Sequence, residues 1–183
     1  ANDLENAISP DGSLLAFESG RHGSSNLHVM PIRIDDGRLV SNGAIRRVTP
    51  SDRSQSLGGF STDGSELLFS STHEPTIYRA PRLFATGIDG GPVRRITNAQ
   101  GREPRMHPDG RTVTFTRGFA PWARPAYRGS GNREVWALDL PTGEFRRVTD
   151  ALSNEGQTFG RPDGSMVLVS SRDGQNNVWL VPK

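Results

Sequence analysis

The feature that most constrains this fold is a turn phrase that the chain repeats four times. The copies are Ser9-Pro10-Asp11-Gly12, Ser61-Thr62-Asp63-Gly64, His107-Pro108-Asp109-Gly110 and Arg161-Pro162-Asp163-Gly164. Their Asp-Gly pairs begin at positions 11, 63, 109 and 163, so the period is about fifty residues with variable insertions. A period of this length indicates a repeat architecture, in which each copy is one supersecondary unit.

Each turn phrase leads into a short apolar strand. Alternate residues of a strand share a face, and the third and fifth positions after each glycine are apolar in every copy: Leu15 and Phe17, Leu67 and Phe69, Val113 and Phe115, Val167 and Val169. The residues between them are Ala16, Leu68, Thr114 and Leu168. Both faces are therefore largely apolar, which predicts a strand covered on both sides by other sheets.

Three further strands complete each unit. One precedes the Asp-Gly turn, one follows as Leu27-His28-Val29 and its counterparts up to Val178-Trp179-Leu180, and an outer one carries an Arg-Arg pair, as in Ile45-Arg46-Arg47-Val48-Thr49. Four short antiparallel strands per repeat predict an all-β β-propeller of about four blades. We place the blades near 1–49, 50–97, 98–149 and 150–183, in one propeller domain or propeller fragment of fifteen strands.

The last predicted blade lacks its outer Arg-Arg strand. We expect a piece of a larger propeller, and the alternatives are a four-bladed ring or an edge that pairs with another chain. The net charge of +2 forms no basic stripe that would favour nucleic acid, and no apolar run has membrane-spanning length. The absence of cysteine excludes disulfides and thiolate metal sites, and it fits the cytosol and the periplasm equally.

The repeats resemble known families. The Pro-Asp-Gly phrase with its apolar strand, together with Ser171-Arg172-Asp173-Gly174, resembles the TolB-type, WD-like propeller repeat over nearly the whole chain. The last third, from Trp122 through Tyr127–Asn132, Val135–Leu140 and Phe145–Asp150, is similar to the amino-terminal propeller of tricorn-type serine peptidases. This resemblance implies a non-catalytic module that gates or channels peptides toward a separate catalytic domain, so no catalytic residue is carried over. A TolB-like role implies the periplasm.

No residue cluster in the sequence predicts a reaction or a cofactor. The Asp-Gly turns lack the closely spaced acids of a calcium loop, so we interpret them as type I turns in which Asp accepts backbone hydrogen bonds. Four histidines, His22, His28, His73 and His107, lack metal-binding spacing. The paired arginines alternate faces on the outer strand, and we expect one to pair with an acid on the neighbouring blade while the other meets solvent.

The best candidates for binding lie in loops between the second and third strands. Two of these loops are enlarged, Thr72 to Arg82 and Gly118 to Arg133, and long loops on a rigid scaffold often carry binding. The candidate residues are aromatic and basic: His73, Tyr78, Arg79, Trp122, Arg124, Tyr127 and Arg128. An alternative is that Trp122 and Tyr127 only pack the loop against its own blade.

The sequence therefore predicts a non-catalytic module for peptide or protein recognition, or for substrate gating in a tricorn-like peptidase. Two alternatives remain: a TolB-like periplasmic protein-binding scaffold, and a propeller-fold enzyme such as a lyase. The expected partners are a peptide or protein ligand, without nucleic acid or membrane insertion, and possible further blades or a second chain at the open edge.

Overall fold

The computed structural model describes residues 3–74, 80–150 and 153–183. Within these ranges the chain is all β, and it forms four small antiparallel sheets that are the blades of a β-propeller. The predicted fold class, including an incomplete last blade, is confirmed. No helix in the described ranges is long and apolar enough to cross a membrane.

The strands follow the repeat. The first sheet holds β1 (Asp3–Ile8), β2 (Leu14–Ser19), β3 (Asn26–Asp35), β4 (Arg38–Ser41) and β5 (Arg46–Arg47). The second holds β6 (Gln55–Phe60), β7 (Glu66–Ser71), β8 (Arg82–Gly87) and β9 (Arg94–Gln100), and the third holds β10 (Arg102–Met106), β11 (Thr112–Arg117), β12 (Glu134–Asp139) and β13 (Phe145–Arg147). The last holds β14 (Glu155–Gly160), β15 (Met166–Ser170) and β16 (Asn177–Val181).

The sequence prediction missed one strand in the first blade. β3 runs on to Asp35 and turns back at once into β4, with Asp35 opposite Arg38. Asp36 and Gly37, at the turn, have φ values of 47° and 72°. Two successive residues with positive φ make the tight hairpin turn whose twist matches that of its strands. The described residues thus contain sixteen strands instead of fifteen, because Asp36-Gly37 closes a hairpin before the Arg-Arg strand begins.

The apolar positions of the repeat build the cores of two compact units, residues 1–102 and 103–183. In the first unit the core consists of Ala16, Leu27, Val29, Val48, Leu57, Phe60, Leu67, Phe69 and Phe84. In the second unit Val135, Met166 and Leu168 form a smaller cluster, against which Val148, Trp179 and Val181 pack. Strand β7 is buried on both faces from Leu67 to Ser71, as the sequence predicts for the strand after the turn.

The Asp-Gly turns have the predicted geometry. The four glycines, Gly12, Gly64, Gly110 and Gly164, have φ between 65° and 85°. The preceding aspartate accepts a backbone hydrogen bond two residues onward in every copy, for example from Ser13 N at 3.1 Å and from Ser65 N at 3.0 Å. Hydrogen bonds from Ser9 and Ser13 lower the pKa of Asp11 to about 2, and those from Ser61 and Ser65 do the same for Asp63.

A buried carboxylate joins the first two blades. Strand β6 has a bulge between Leu57 and Gly59. Glu18 of β2, itself only 5% exposed, accepts a hydrogen bond from Leu57 N at 2.6 Å. The carboxylate thus satisfies an amide that would otherwise be buried without a partner.

The paired arginines of the outer strands behave largely as expected in the first blade. Arg46 reaches the next blade, where it donates to the backbone oxygen of Ile88 and to Asp89 Oδ1 at 3.0 Å. Arg47 is exposed. In the second blade Arg94 instead pairs with Glu66 of its own sheet.

The last sheet has three strands in the described residues, so β16 has one edge without a sheet partner. Val178 and Leu180 of this strand are 73% and 56% exposed, whereas Leu27 and Val135, at the position of Val178 in other blades, are fully buried. A partner at this edge stays a prediction.

We expect Gly64→Ala to destabilise the fold by about 1–2 kcal/mol. A Cβ at this position has room, since its nearest neighbour would be Pro10 Cδ at 3.5 Å, so the cost comes from the φ of 73° alone. Gly20→Ala is the matched control, because Gly20 lacks a positive φ and its Cβ would lie 3.6 Å from the nearest atom. Urea denaturation of both variants measures the difference, and equal stabilities would contradict the turn analysis.

We also expect stability to fall with acidification below about pH 4. Asp11 and Asp63 have an ordinary pKa of 3.8 and a folded pKa of about 2. The unfolded chain therefore takes up these protons first, and the stability from both carboxylates is lost as the pH falls from about 4 to about 2.

The double variant Asp11→Asn/Asp63→Asn should flatten this part of the stability profile, measured by urea denaturation at stepped pH. The control Asp36→Asn removes a hairpin carboxylate that accepts no hydrogen bond within the described ranges, and it should leave the profile unchanged. A double variant with the wild-type slope would refute the assignment.

Candidate ligand-binding loops

The two enlarged loops connect second and third strands, as predicted. They span 72–81, between β7 and β8, and 118–133, between β11 and β12, whereas the other two connections of this kind span only 20–25 and 171–176. The loop 118–133 is closed at its base, because the amides of Phe119 and Ala120 both donate to the backbone oxygen of Gly131, at 3.0 and 2.9 Å. A Cβ at Gly118 would lie 1.9 Å from the oxygen of Asn132, so only glycine fits there.

Arg133 braces the loop against the third blade. Its Nη1 lies 2.9 Å from Glu103 Oε1, and its Nε donates to the backbone oxygen of Ala120 at 2.9 Å. Its guanidinium also lies over the ring of Trp122, 4.8 Å from the ring centre, in cation–π geometry. The side chains of Arg133 and Glu103 are only 12% and 13% exposed, so this ion pair is largely shielded from water.

Glu103 in turn connects the third and fourth blades. Its Oε2 accepts hydrogen bonds from Thr116 Oγ1 at 3.0 Å and from the amide of Gln157 at 3.3 Å. Glu103 and Gln157 have φ values of 53° and 50°, which residues with a side chain rarely adopt. The base of the loop therefore rests on a carboxylate whose two oxygens are both committed.

Trp122 and Tyr127 pack within the loop and against its neighbours. The backbone oxygen of Trp122 accepts a hydrogen bond from Asn176 Nδ2 at 2.9 Å. The hydroxyl of Tyr127 accepts one from the amide of Gly131 at 3.3 Å, and a Cβ at Gly129 would lie 2.3 Å from this hydroxyl. Both aromatic side chains are half-buried, so they contribute to the shape of the loop.

Arg124 and Arg128 are the exposed members of the predicted set in this loop. The guanidinium of Arg124 lies 5.6 Å from the ring centre of Tyr127, and Arg128 Nη1 donates to the backbone oxygens of Pro125 and Tyr127 at 3.0 and 3.1 Å. In the described ranges neither side chain pairs with a carboxylate. Both positive charges therefore remain available to a ligand.

The other predicted residues belong to the loop 72–81. His73 is exposed and makes an edge-on contact with Phe84, with ring centres 6.2 Å apart. Tyr78 and Arg79 lie outside the described residues. The structure thus brings Trp122, Arg124, Tyr127 and Arg128 together on one loop, and a binding role for any of the seven stays a prediction.

Sequence reasoning missed two residues of this loop. Phe119 is 71% exposed and presents a large apolar surface at the start of the loop. It is the first aromatic residue after Gly118, and this position in the loop is the sequence signal that could have identified it. Arg133 gave no local signal, because its partner Glu103 is 30 residues away in the sequence.

The histidines do not assemble into a metal site in the described residues, where no group of three or more His, Cys, Asp or Glu side chains is arranged to hold an ion. His28 is buried and stacks on Phe17 and His22, with ring centres 5.6 and 5.7 Å apart. Burial lowers its pKa, which favours the neutral ring.

Comparison with known proteins agrees with this architecture. The family model of the tricorn protease N-terminal beta propeller domain matches residues 1–183. Tricorn protease homolog 1 of Streptomyces coelicolor is 31% identical over 152 residues, which cover 79% of this chain and 13% of that protein. The chain therefore spans about an eighth of the length of this curated relative.

Solved structures share the fold. A crystal structure of the tricorn protease superposes with a TM-score of 0.76 at 17% identity, covering 100% of this chain and 18% of the other. TolB from Agrobacterium tumefaciens superposes with a TM-score of 0.66 at 22% identity, covering 98% and 64%. At these identities the likeness concerns the fold, and it agrees with the TolB-like and tricorn-like repeats read from the sequence.

We expect Arg133→Ala to destabilise the second unit by about 3 kcal/mol, because it leaves Glu103 shielded from water without its counter-charge. Arg128→Ala is the matched control, and we expect a change below about 0.5 kcal/mol because its guanidinium bonds only to oxygens of its own exposed loop. Urea denaturation with hydrogen exchange of the amides in 118–133 measures both. A loss below about 1 kcal/mol for Arg133→Ala would show that the ion pair does not brace the loop.

Proposed function

This chain belongs to the family of tricorn protease N-terminal β-propeller domains, and we propose that it is a non-catalytic module that binds peptides through its loop 118–133. In this proposal the whole protein is a tricorn-like peptidase, and the propeller controls the passage of peptides to a catalytic domain elsewhere in that protein.

The observation that carries the proposal is the bracing of the loop 118–133. The contacts of Arg133 with Glu103, Ala120 and Trp122 connect a long surface loop to the third blade. A loop that is ordered before binding loses less conformational entropy when a ligand binds. These contacts favour the interpretation that the loop is a recognition surface over the interpretation that it only connects two strands.

The exposed groups of the loop are suited to peptides. Phe119 offers apolar area, while Arg124 and Arg128 offer guanidinium groups that match carboxylate geometry. Aromatic residues and arginine are also the residues that contribute most to protein and peptide interfaces. The loop is therefore expected to favour peptides that combine apolar side chains with acidic side chains or a free carboxyl terminus.

The test is peptide binding measured by fluorescence anisotropy with the 183-residue chain. The probe is a fluorescein-labelled decapeptide that contains leucine and glutamate, compared with a decapeptide in which lysine replaces glutamate. We expect the acidic peptide to bind more tightly, and Arg124→Ala/Arg128→Ala to raise its Kd about tenfold because two charge-assisted contacts are lost. Phe119→Ser should weaken the binding of both peptides.

A matched double variant controls for net charge. Arg38→Ala/Arg146→Ala removes the same charge from the exposed strands β4 and β13, outside the loop. It should leave Kd within about twofold of the wild type at moderate salt, because distant surface charges are screened. Equal effects of the two double variants, or no binding of either peptide, would refute the proposed function.

A further inference from the structure

The first unit contains a cavity of about 370 Å³ that is lined mainly by residues with polar side chains, and its volume is within the range of small-molecule sites. It lies where β7 ends and the loop 72–81 begins, and five serines and one threonine are among the residues that line it. Glu18, Gln55 and Arg102 also line it. A cavity with this many hydrogen-bonding groups is suited to a polar ligand.

Glu18 provides a negative charge with unused hydrogen-bonding capacity. One carboxylate oxygen, Oε1, accepts the 2.6 Å bond from Leu57 N, whereas Oε2 lies 3.5 Å from Ser25 Oγ, at the limit of a hydrogen bond. A carboxylate offers about four acceptor positions. Glu18 is only 5% exposed. Burial raises the pKa of its carboxyl group, although hydrogen bonds from Leu57, Ser56 and Ser25 act in the opposite direction.

Arg102 provides a positive charge on the same cavity. It is exposed, and its guanidinium makes no hydrogen bond or ion pair with any residue in the described part of the chain. Glu18 and Arg102 therefore line one cavity without forming an ion pair with each other. An interblade role explains the bond of Glu18 to Leu57, but it does not explain why an arginine without a partner among the described residues lines the same cavity.

We propose that this cavity binds a small zwitterion, with the ligand's ammonium group at Glu18 and its carboxylate at Arg102. An ammonium group donates three hydrogen bonds, which suit a carboxylate and nearby hydroxyls, and a guanidinium fork suits a carboxylate. Short peptides with free termini and free α-amino acids share this chemistry. The expectation that peptides are the source rests on the proposed function.

Calorimetric titration of the 183-residue chain with four ligands tests the proposal. The ligands are alanine, trialanine, N-acetyl-trialanine and trialanine amide. We expect alanine or trialanine to bind, and each blocked tripeptide to bind about tenfold or more weakly than trialanine if trialanine is the ligand, because one charged contact is lost. Binding of alanine alone assigns the site to free amino acids. Failure of both zwitterions to bind overturns the proposal.

Two conservative variants assign the ends of the ligand. Glu18→Gln retains an oxygen to accept the Leu57 amide, and it should remove the preference for trialanine over N-acetyl-trialanine. Arg102→Gln, at an exposed side chain, should remove the preference for trialanine over trialanine amide. If alanine is the ligand, both variants should raise its Kd about tenfold. The control Arg38→Gln removes one positive charge from β4 and should leave binding unchanged.

The outcomes separate this proposal from the proposed function. The cavity proposal is overturned if both variants leave zwitterion binding unchanged, or if blocking a terminus of the tripeptide does not weaken its binding. This holds even if the acidic decapeptide still binds through Arg124 and Arg128. Zwitterion binding that depends on Glu18 and Arg102, without decapeptide binding, supports the cavity and overturns the proposed function. Thermal unfolding of each variant shows whether the Glu18→Gln protein is folded. If the Glu18→Gln protein is not folded, Arg102→Gln and the blocked ligands still test the site.

Discussion

Neighbouring blades are joined by a carboxylate that accepts a hydrogen bond from a backbone amide in the innermost strand of the next blade. Glu18 accepts from Leu57 N in the first unit, and Glu103 accepts from Gln157 N in the second. The Leu57 amide is buried, and a buried amide without a partner is costly. Each bond therefore connects two sheets as well as satisfying an amide.

The same two carboxylates organise the surfaces that we connect with function. Glu103 uses its other oxygen to hold Arg133, which supports the loop that carries Phe119, Arg124 and Arg128. Glu18 Oε2 lies 3.5 Å from Ser25 Oγ, and Glu18 lines the cavity of the first unit. Glu103 therefore positions a candidate binding loop, and Glu18 is itself a candidate binding group. In both cases a carboxylate that connects two blades also contributes to a candidate binding surface.

The fold class and the turns could be predicted from the sequence because their determinants are local. The Asp-Gly pair needs a positive φ and an acceptor two residues away, and the alternating apolar positions, such as Leu67 and Phe69, define a strand face within a few residues. The hairpin of β3 and β4 is not part of the repeat, so the repeat pattern does not predict it, although Asp36-Gly37 is a strong local turn signal. The enlarged loops were predicted from their length alone.

What the sequence determined by itself is therefore the repeat: the four turns and the apolar strands that follow them. The tertiary structure decided which charged groups meet. Glu18 and Leu57 are 39 residues apart, Arg46 and Asp89 are 43 apart, and Arg133 and Glu103 are 30 apart. No periodicity specifies such pairs, since each depends on the packing of one blade against the next or of a loop against its own blade. The candidate sites follow from these contacts, which is why residue type and loop length identified Arg124 and Arg128 but not Arg133 or the cavity beside Glu18.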